Sequence, residues 1–388
     1  MKVALVYDRV NKWGGAERVL LALHEIWPEA SLYTAVYNPK TAPWAKVFKV
    51  IPSFLQGFPA AKSNHEFYAP LMPLAFESFN FDGYDVVISV TSEAAKGIIT
   101  KPKTLHLCYC LTPTRYLWSG YNQHFDTPLK KTLSLPLIEN LKKWDLVAAQ
   151  RPDDYLAISK TVQERIKKYY SRESEVVYPP IDTEKFHPPA GGLNPKSQIN
   201  QKYKMQSFDI AQDKNSKYFL VVSRLVKYKK VDLAVEAFNK LGWELKIIGT
   251  GREMGKLRRL AGPNIEFLGH LTDEALLGYY QNCQAVVFPQ EEDFGLVPLE
   301  AQACGKPVIA YRAGGALETV IESKTGLFFY PQTAEGLEKS LRQFVAVRFR
   351  KEDCRRQAGK YSQERFTKEF KNLVEKKWKE HLKTTSMP

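Results

Sequence analysis

Short apolar runs alternate with amphipathic stretches twice along this chain, and that alternation restricts the fold more than any other feature. In the first half the runs are Val3–Tyr7, Leu32–Val36, Val86–Val90, Leu105–Cys110, Tyr155–Ile158 and Val176–Tyr178. Helix-spaced apolar residues mark Ala16–Trp27, Glu66–Phe79, Leu129–Ala149 and Thr161–Tyr170 between them. The second half repeats the scheme. Its runs are Tyr218–Val222, Leu245–Ile248, Ile265–Leu268, Ala285–Phe288 and Val308–Ala310. Its helical stretches are Lys230–Leu241, Arg252–Ala261, Asp273–Asn282 and Pro298–Cys304. Strands that alternate with helices make parallel sheets with crossover helices on both faces. Two such series predict an α/β protein of two doubly wound, Rossmann-like domains, which 388 residues accommodate.

Pro179-Pro180 closes the first series. From Pro188 to Lys217 the chain is rich in Gly, Pro, Asn, Gln, Lys and Ser and has no apolar periodicity, so it reads as a linker or insertion. Helical patterns return at Glu335–Phe344 and Lys351–Trp378. In the latter, Phe366, Phe370, Leu373 and Trp378 recur at helical spacing and are expected to pack on a domain surface. The expected divisions are an N-terminal domain over 1–182, a linker over 183–217, a C-terminal domain over 218–362 and a final helix within 363–388.

Composition excludes several classes. The five cysteines form no Cys-x-x-Cys pair, so neither a zinc site nor a disulfide framework is expected, and a reducing cytoplasm is the simpler setting. The chain starts on a strand-like run at Lys2 without a charged leader, so no signal peptide is expected. No run of about 18 apolar residues occurs, so no membrane-spanning helix is expected. The net charge of +14 fits nucleic acid, an anionic membrane surface or a phosphorylated ligand. No nucleic-acid-binding motif accompanies the dispersed lysines, so nucleic acid is not the expected partner.

Three motifs carry chemistry. The first is Glu292-Asp293-Phe294-Gly295-Leu296-Val297-Pro298-Leu299-Glu300, which follows an apolar strand. A strand, a glycine turn and a helix with Pro298 in its first turn put the segment at the carboxyl edge of a sheet, where ligands bind. First-turn amides near Gly295 and Leu296 suit a phosphate or a sugar oxygen. Glu292 and Glu300 can face one crevice, and a carboxylate accepts two hydrogen bonds from paired sugar hydroxyls. The second motif is Val222-Ser223-Arg224-Leu225-Val226-Lys227-Tyr228-Lys229. Arg224 supplies a planar fork and Lys229 a point charge at one strand end, a natural pair for a diphosphate. The third is Trp13-Gly14-Gly15-Ala16-Glu17-Arg18, where paired glycines before a helix admit a ligand close to the backbone.

Weaker marks are Gly249-Thr250-Gly251, placed to pass under a nucleobase, and Gly314-Gly315 with Glu318. The aromatic-basic loop Thr112-Pro113-Thr114-Arg115-Tyr116-Leu117-Trp118 offers Thr112, Arg115, Tyr116 and Trp118 to a sugar acceptor. His106, inside an apolar strand, reads as a packed core histidine. No Asp-x-Asp occurs, so a carboxylate-held metal bridging a diphosphate is not expected, and no P-loop or dinucleotide fingerprint is present.

The three motifs in this order resemble family 4 retaining glycosyltransferases of the GT-B fold, in which two Rossmann-like domains face a cleft. The likeness runs from Lys2 to about Phe370 apart from the linker, and it is sharpest at Glu292–Ala310, which is similar to the family's Glu-x7-Glu region. Gly14-Gly15-Ala16-Glu17, the Tyr109–Trp118 loop and Glu291-Glu292-Asp293-Phe294-Gly295 resemble the O-antigen and capsule mannosyltransferase branch. The resemblance implies that Arg224 and Lys229 bind the donor diphosphate and that Glu300 holds the ribose hydroxyls. Glu292 would hold the transferred sugar, with Phe294, Gly295 and Leu296 lending backbone amides. Gly14 and Gly15 would approach the phosphates across the cleft, and Gly249 and Gly251 would line the donor site. The final helix would cross back toward the N-terminal domain. The implied partners are a nucleotide-sugar donor as substrate, with no cofactor and no metal, and a glycan or lipid-linked glycan acceptor.

Two positions depart from the family pattern. A glycine usually follows the lysine that matches Lys229, and Lys230 stands there. A histidine that touches the donor sugar in relatives usually precedes the Thr-Pro, and Leu111 stands there. Mannose from GDP-mannose is the expected donor, with a UDP-sugar transferase or a sugar-nucleotide epimerase as alternatives and a basic nucleic-acid-binding protein as the non-enzymatic one. The expected location is the cytoplasm, peripheral on the inner face of the membrane. Lys130-Lys131 and Lys142-Lys143, with Leu133, Leu135, Leu137 and Trp144 nearby, form either a face that rests on anionic lipid or a solvated helix face.

Overall fold

A computed structural model describes residues 1–121, 128–186 and 218–385, with the side chains of 128–133 left out. The expected linker therefore lies outside the described residues except for 183–186, which form a turn. The described residues divide into two compact units, one of Met1–Pro180 together with the segment from Glu364, the other of Ile181–Gln363.

The first unit contains, in chain order, β1 (Val3–Tyr7), α1 (Gly15–Ile26), β2 (Ser31–Thr34), β3 (Val50–Pro52), α2 (Met72–Glu77), β4 (Val86–Thr91), β5 (Leu105–Cys110), α3 (Pro128–Ala148), β6 (Asp154–Ala157), α4 (Lys160–Tyr170) and β7 (Glu175–Val176). Its sheet runs β3-β2-β1-β4-β5-β6-β7, with every pairing parallel. Every residue of β1, β4 and β5 is buried, because helices cover both faces of a parallel sheet. That burial is why these strands read as unbroken apolar runs.

The polar exception in β5 is His106, which is fully buried and shares a hydrogen bond with the Ser89 hydroxyl at 2.8 Å. Burial, reinforced by Arg151 and Arg172, pushes its imidazole down to about 3. The unfolded chain therefore takes up a proton near its ordinary value of about 6.5 while the folded chain does not. The resulting stability is complete above that value and falls as the pH drops toward 3, by about 1.4 kcal/mol per pH unit. At pH 5 a His106→Gln variant should lose about 2 kcal/mol less of its neutral-pH stability than the parent, as read by urea unfolding at the two pH values.

The second unit contains β8 (Tyr218–Val222), α5 (Val231–Leu241), β9 (Glu244–Ile248), α6 (Met254–Leu260), β10 (Ile265–Gly269), α7 (Asp273–Asn282), β11 (Val286–Phe288), α8 (Leu296–Ala303), β12 (Val308–Tyr311), α9 (Ala316–Thr319), β13 (Gly326–Phe329), α10 (Ala334–Phe344) and α11 (Lys351–Gly359). Its sheet runs β10-β9-β8-β11-β12-β13, again with parallel pairings. Phe219, Val221, Val235, Phe238, Ile247 and Leu337 belong to its core. The chain then enters α12 (Gln363–Thr385). Beyond Glu364 this helix belongs to the first unit, where Phe366, Phe370 and Val374 are buried. Phe370 meets Tyr109 edge-on at 5.3 Å, and Lys377 pairs with Glu175 at 2.7 Å.

Several sequence expectations need correcting. Glu66–Phe79 is not one α-helix: a 3-10 segment, His65–Leu71, precedes the short α2, because Pro70 and Pro73 remove the amides that a continuous helix requires. The stretch Lys351–Trp378 breaks between α11 and α12, where the chain pairs with Ile181. Ile181 donates to the Tyr361 carbonyl at 2.8 Å, and Gln363 donates to the Ile181 carbonyl at 3.1 Å. In α3, Lys142 lies over the rings of Trp118 and Tyr121, and the Trp144 indole donates to Glu77. Those two side chains are spent inside the first unit rather than presented to lipid, whereas Leu135 and Leu137 are exposed. Among the described residues no helix is long and apolar enough to cross a membrane.

Candidate functional site

In each sheet the strand order reverses once, between β1 and β4 in the first unit and between β8 and β11 in the second. Chains leaving adjacent strands at such a point diverge to opposite faces and leave a crevice at the carboxyl edge. In the second unit the two loops at that crevice are those that carry the basic motif, after β8, and the acidic motif, after β11.

Arg224 leaves β8 exposed, and its guanidinium donates to the Tyr228 hydroxyl at 2.5 Å. Lys229 is buried, sits 5.0 Å above the Tyr228 ring and forms an ion pair with Glu292. Tyr228 thus contacts both cations. It was legible only as a residue four positions after Arg224 in a turn. Lys230 adopts a left-handed φ of 52° as it enters α5. A glycine takes that conformation without strain, which would fit the glycine that the resemblance places there.

The acidic motif turns at Gly295, and α8 begins at Leu296 with no side chain capping its first turn. Glu292 precedes the turn and reaches Lys229. Glu300 lies just over one turn into the helix, only 4% exposed, and accepts from the Tyr280 hydroxyl at 2.7 Å. Phe294 is buried against Tyr361, with ring centres 5.6 Å apart. At this sheet edge Lys229 and Glu292 meet directly, Arg224 leaves the same loop as Lys229, and the acidic loop runs into the helix that carries Glu300. Such a set can neutralise a diphosphate while holding hydroxyl pairs on either side.

The neighbouring glycines are needed where backbones touch. A Cβ on Gly249 would lie 1.8 Å from the Ser223 carbonyl oxygen, and one on Gly251 would lie 2.1 Å from that of Leu225. These two residues let the loop after β9 press against the loop that carries Arg224. Gly315 does the same for the acidic loop, where a Cβ would lie 2.2 Å from the Phe294 Cα.

Gly14, Gly15 and the Thr112–Trp118 loop belong to the first unit. Gly14 has extended backbone and immediately precedes α1, which no side chain caps. Glu17, in the first turn, is buried and accepts from the Tyr7 hydroxyl at 2.6 Å. At the reversal point Asp8 accepts from the Thr91 hydroxyl at 2.8 Å and from the Ser92 and Ala95 amides at 2.7 and 2.9 Å, which ties the loops after β1 and β4 together. Arg9 pairs with Glu93 at 2.5 Å. Burial alone would raise the Glu93 carboxyl, but the Arg9 charge outweighs it and holds the group below its ordinary value. Thr112 is buried, and Arg115 and Tyr116 are partly exposed. The Trp118 indole donates to Asp145 at 2.8 Å, and its ring stacks on Tyr169 at 5.3 Å. Asp145 also accepts from Thr114, Tyr170 and Lys96, the last at 2.5 Å. This buried carboxylate organises the loop. Nothing local marks it, because its partners are 25–49 residues away in sequence.

Residues 203–365 match the model of the family described as "Glycosyl transferases group 1". An uncharacterized glycosyltransferase of Methanocaldococcus jannaschii is 31% identical over 156 residues, 39% of this chain and 43% of that protein. The alpha-1,3/1,6-mannosyltransferase ALG2 of Dictyostelium discoideum is 25% identical over 284 residues, 65% of each chain. The chain thus spans less than two thirds of these relatives. Among solved structures, Anabaena Alr3699/HepE, crystallised in complex with UDP, superposes with a TM-score of 0.66 over 97% of this chain and 100% of that one, at 17% identity. Two doubly wound parallel sheets with these neighbours give the chain the GT-B fold, and its residues 203–365 carry the match to glycosyl transferases group 1.

Proposed function

We propose that the chain is a retaining glycosyltransferase that acts without a metal ion. In this reading it moves mannose from GDP-mannose onto a glycan or lipid-linked glycan acceptor in cell-surface polysaccharide synthesis. It works in the cytoplasm, peripheral to the inner face of the membrane. The observation that carries the proposal is the placement of Arg224, Lys229, Glu292, Glu300 and the uncapped start of α8 in and after the two loops at one sheet edge of the second unit.

In the proposed reaction the anomeric carbon separates from the diphosphate oxygen, leaving positive charge on the sugar ring and negative charge on the leaving group. Arg224 and Lys229 stabilise the departing diphosphate, and the backbone amides at the start of α8 hold sugar or phosphate oxygens. Glu292 accepts hydrogen bonds from sugar hydroxyls, and Glu300 accepts them from the ribose. The acceptor hydroxyl attacks from the face the diphosphate leaves, its oxygen bonds to the anomeric carbon, and its proton passes to the departing phosphate. Configuration is thereby retained.

A UDP-sugar is the second reading, favoured by Leu111 in the place of the histidine that touches the sugar in relatives. The HepE protein, similar in fold, was solved with UDP. Thermal unfolding with GDP, UDP, ADP and NAD in parallel separates the two. A nucleotide at 100 times its dissociation constant should add about 2.7 kcal/mol, or roughly 2–4 °C per kcal/mol for units of this size. Stabilisation by GDP alone supports the mannose reading, and stabilisation by UDP alone replaces the donor. No shift with any of the four removes the nucleotide-sugar proposal.

A further inference from the structure

Tyr280 lies in α7, outside every sequence motif, and is fully buried. Its hydroxyl donates to Oε2 of Glu300 at 2.7 Å. The Phe186 ring meets the Tyr280 ring edge-on at 5.9 Å, and the Phe186 carbonyl accepts from the Cys304 thiol at the end of α8. The chain entering the second unit therefore backs both Tyr280 and the helix that carries Glu300. A carboxylate binds a vicinal diol well only when its plane is fixed beforehand, since free rotation must otherwise be frozen on binding. We infer that Tyr280 is a positioning residue whose hydroxyl sets the rotation of the Glu300 carboxylate, so that it meets the two ribose hydroxyls of a nucleoside diphosphate. This rests on the proposed reading, in which Glu300 takes the ribose. The further step is that α7 controls ribose recognition without touching the ligand.

Tyr280→Phe removes the hydroxyl and keeps the ring against Phe186. The probes are UDP or GDP, whichever the parent binds more tightly, and the 2′,3′-dideoxy form of the same nucleotide. Calorimetric dissociation constants are compared for the parent, Tyr280→Phe, Glu300→Gln and the double variant. The ribonucleotide should bind Tyr280→Phe about 10-fold more weakly, the loss expected for a hydrogen bond to a charged group. The dideoxynucleotide should bind parent and variant equally. The two single losses should not add in the double variant, because both act through one carboxylate. Equal weakening of both nucleotides would mean a merely structural role, and no weakening of either would mean no role. Both results overturn the inference and leave the donor-site reading standing. A parent with no preference for the ribose overturns the inference together with the assignment of Glu300.

Discussion

Arg224→Ala should lower turnover by about 10²–10³-fold, by analogy with removal of a single oxyanion-stabilising donor. The sugar-phosphate bond breaks with charge separation, so a cation at the diphosphate contributes more in the transition state than in the bound ground state. The loss should therefore appear mainly in kcat, with a smaller change in KM for the nucleotide sugar. Arg224 is the cleaner of the two cations to remove. It is exposed and bonds to the exposed side of Tyr228, so the variant should keep its unfolding temperature. Lys229 is buried in an ion pair with Glu292, and its removal would strand that carboxylate as well as weaken the diphosphate site. Lys227, exposed in the same loop, supplies the control, since Lys227→Ala should be close to neutral. Initial rates with radiolabelled donor check all three variants. Near-full activity in Arg224→Ala would falsify its assignment to the diphosphate.

Asp145→Ala should destabilise the first unit by about 3–5 kcal/mol, the usual cost of leaving one partner of a buried ion pair uncompensated. Lys96 and Asp145 are 2% and 1% exposed, and the carboxylate also accepts from Thr114, Trp118 and Tyr170. Burial works against the Lys96 charge, but Asp145 outweighs it and raises the lysine above its ordinary value. A raised lysine contributes stability that is complete below its unfolded value of about 10.4 and is lost only as pH rises through the higher folded value. The pair is therefore intact throughout the neutral range. Urea unfolding followed by tryptophan emission should show the loss, since Trp118 bonds to the deleted group and Trp144 lies on the same helix. Replacing both partners with apolar residues should recover much of it, because no charge then stays buried. A loss below about 1 kcal/mol in Asp145→Ala, the range of a solvent-exposed pair, would mean that Lys96 finds water or another partner.

Arg224, Lys229, Glu292 and Glu300 stand in strand-to-helix turns, whose carboxyl-edge position follows from the alternation of runs. Gly249 and Gly251 read as placed to pass under a nucleobase, and the structure shows each pressed against the backbone of the Arg224 loop. That contact joins segments more than twenty residues apart, and no local pattern encodes it. The Thr112–Trp118 loop reads as one offered to a sugar acceptor, and within it the Trp118 indole donates to Asp145.

By itself the sequence determined two series of parallel strands with crossover helices and the two loops that bear charge. The reason is that strands buried on both faces must be continuously apolar, while turns and helix starts demand particular residues locally. It did not reveal β3 (Val50–Pro52) or β13 (Gly326–Phe329) as strands. Only the tertiary structure decided which side chains orient the site. Tyr228 contacts both cations, Tyr280 meets Glu300 from twenty residues away, and Asp145 gathers its donors from three separate segments. Such partners are chosen by where the packed helices bring them, and a hydrogen bond between distant segments leaves no periodicity for a sequence to display.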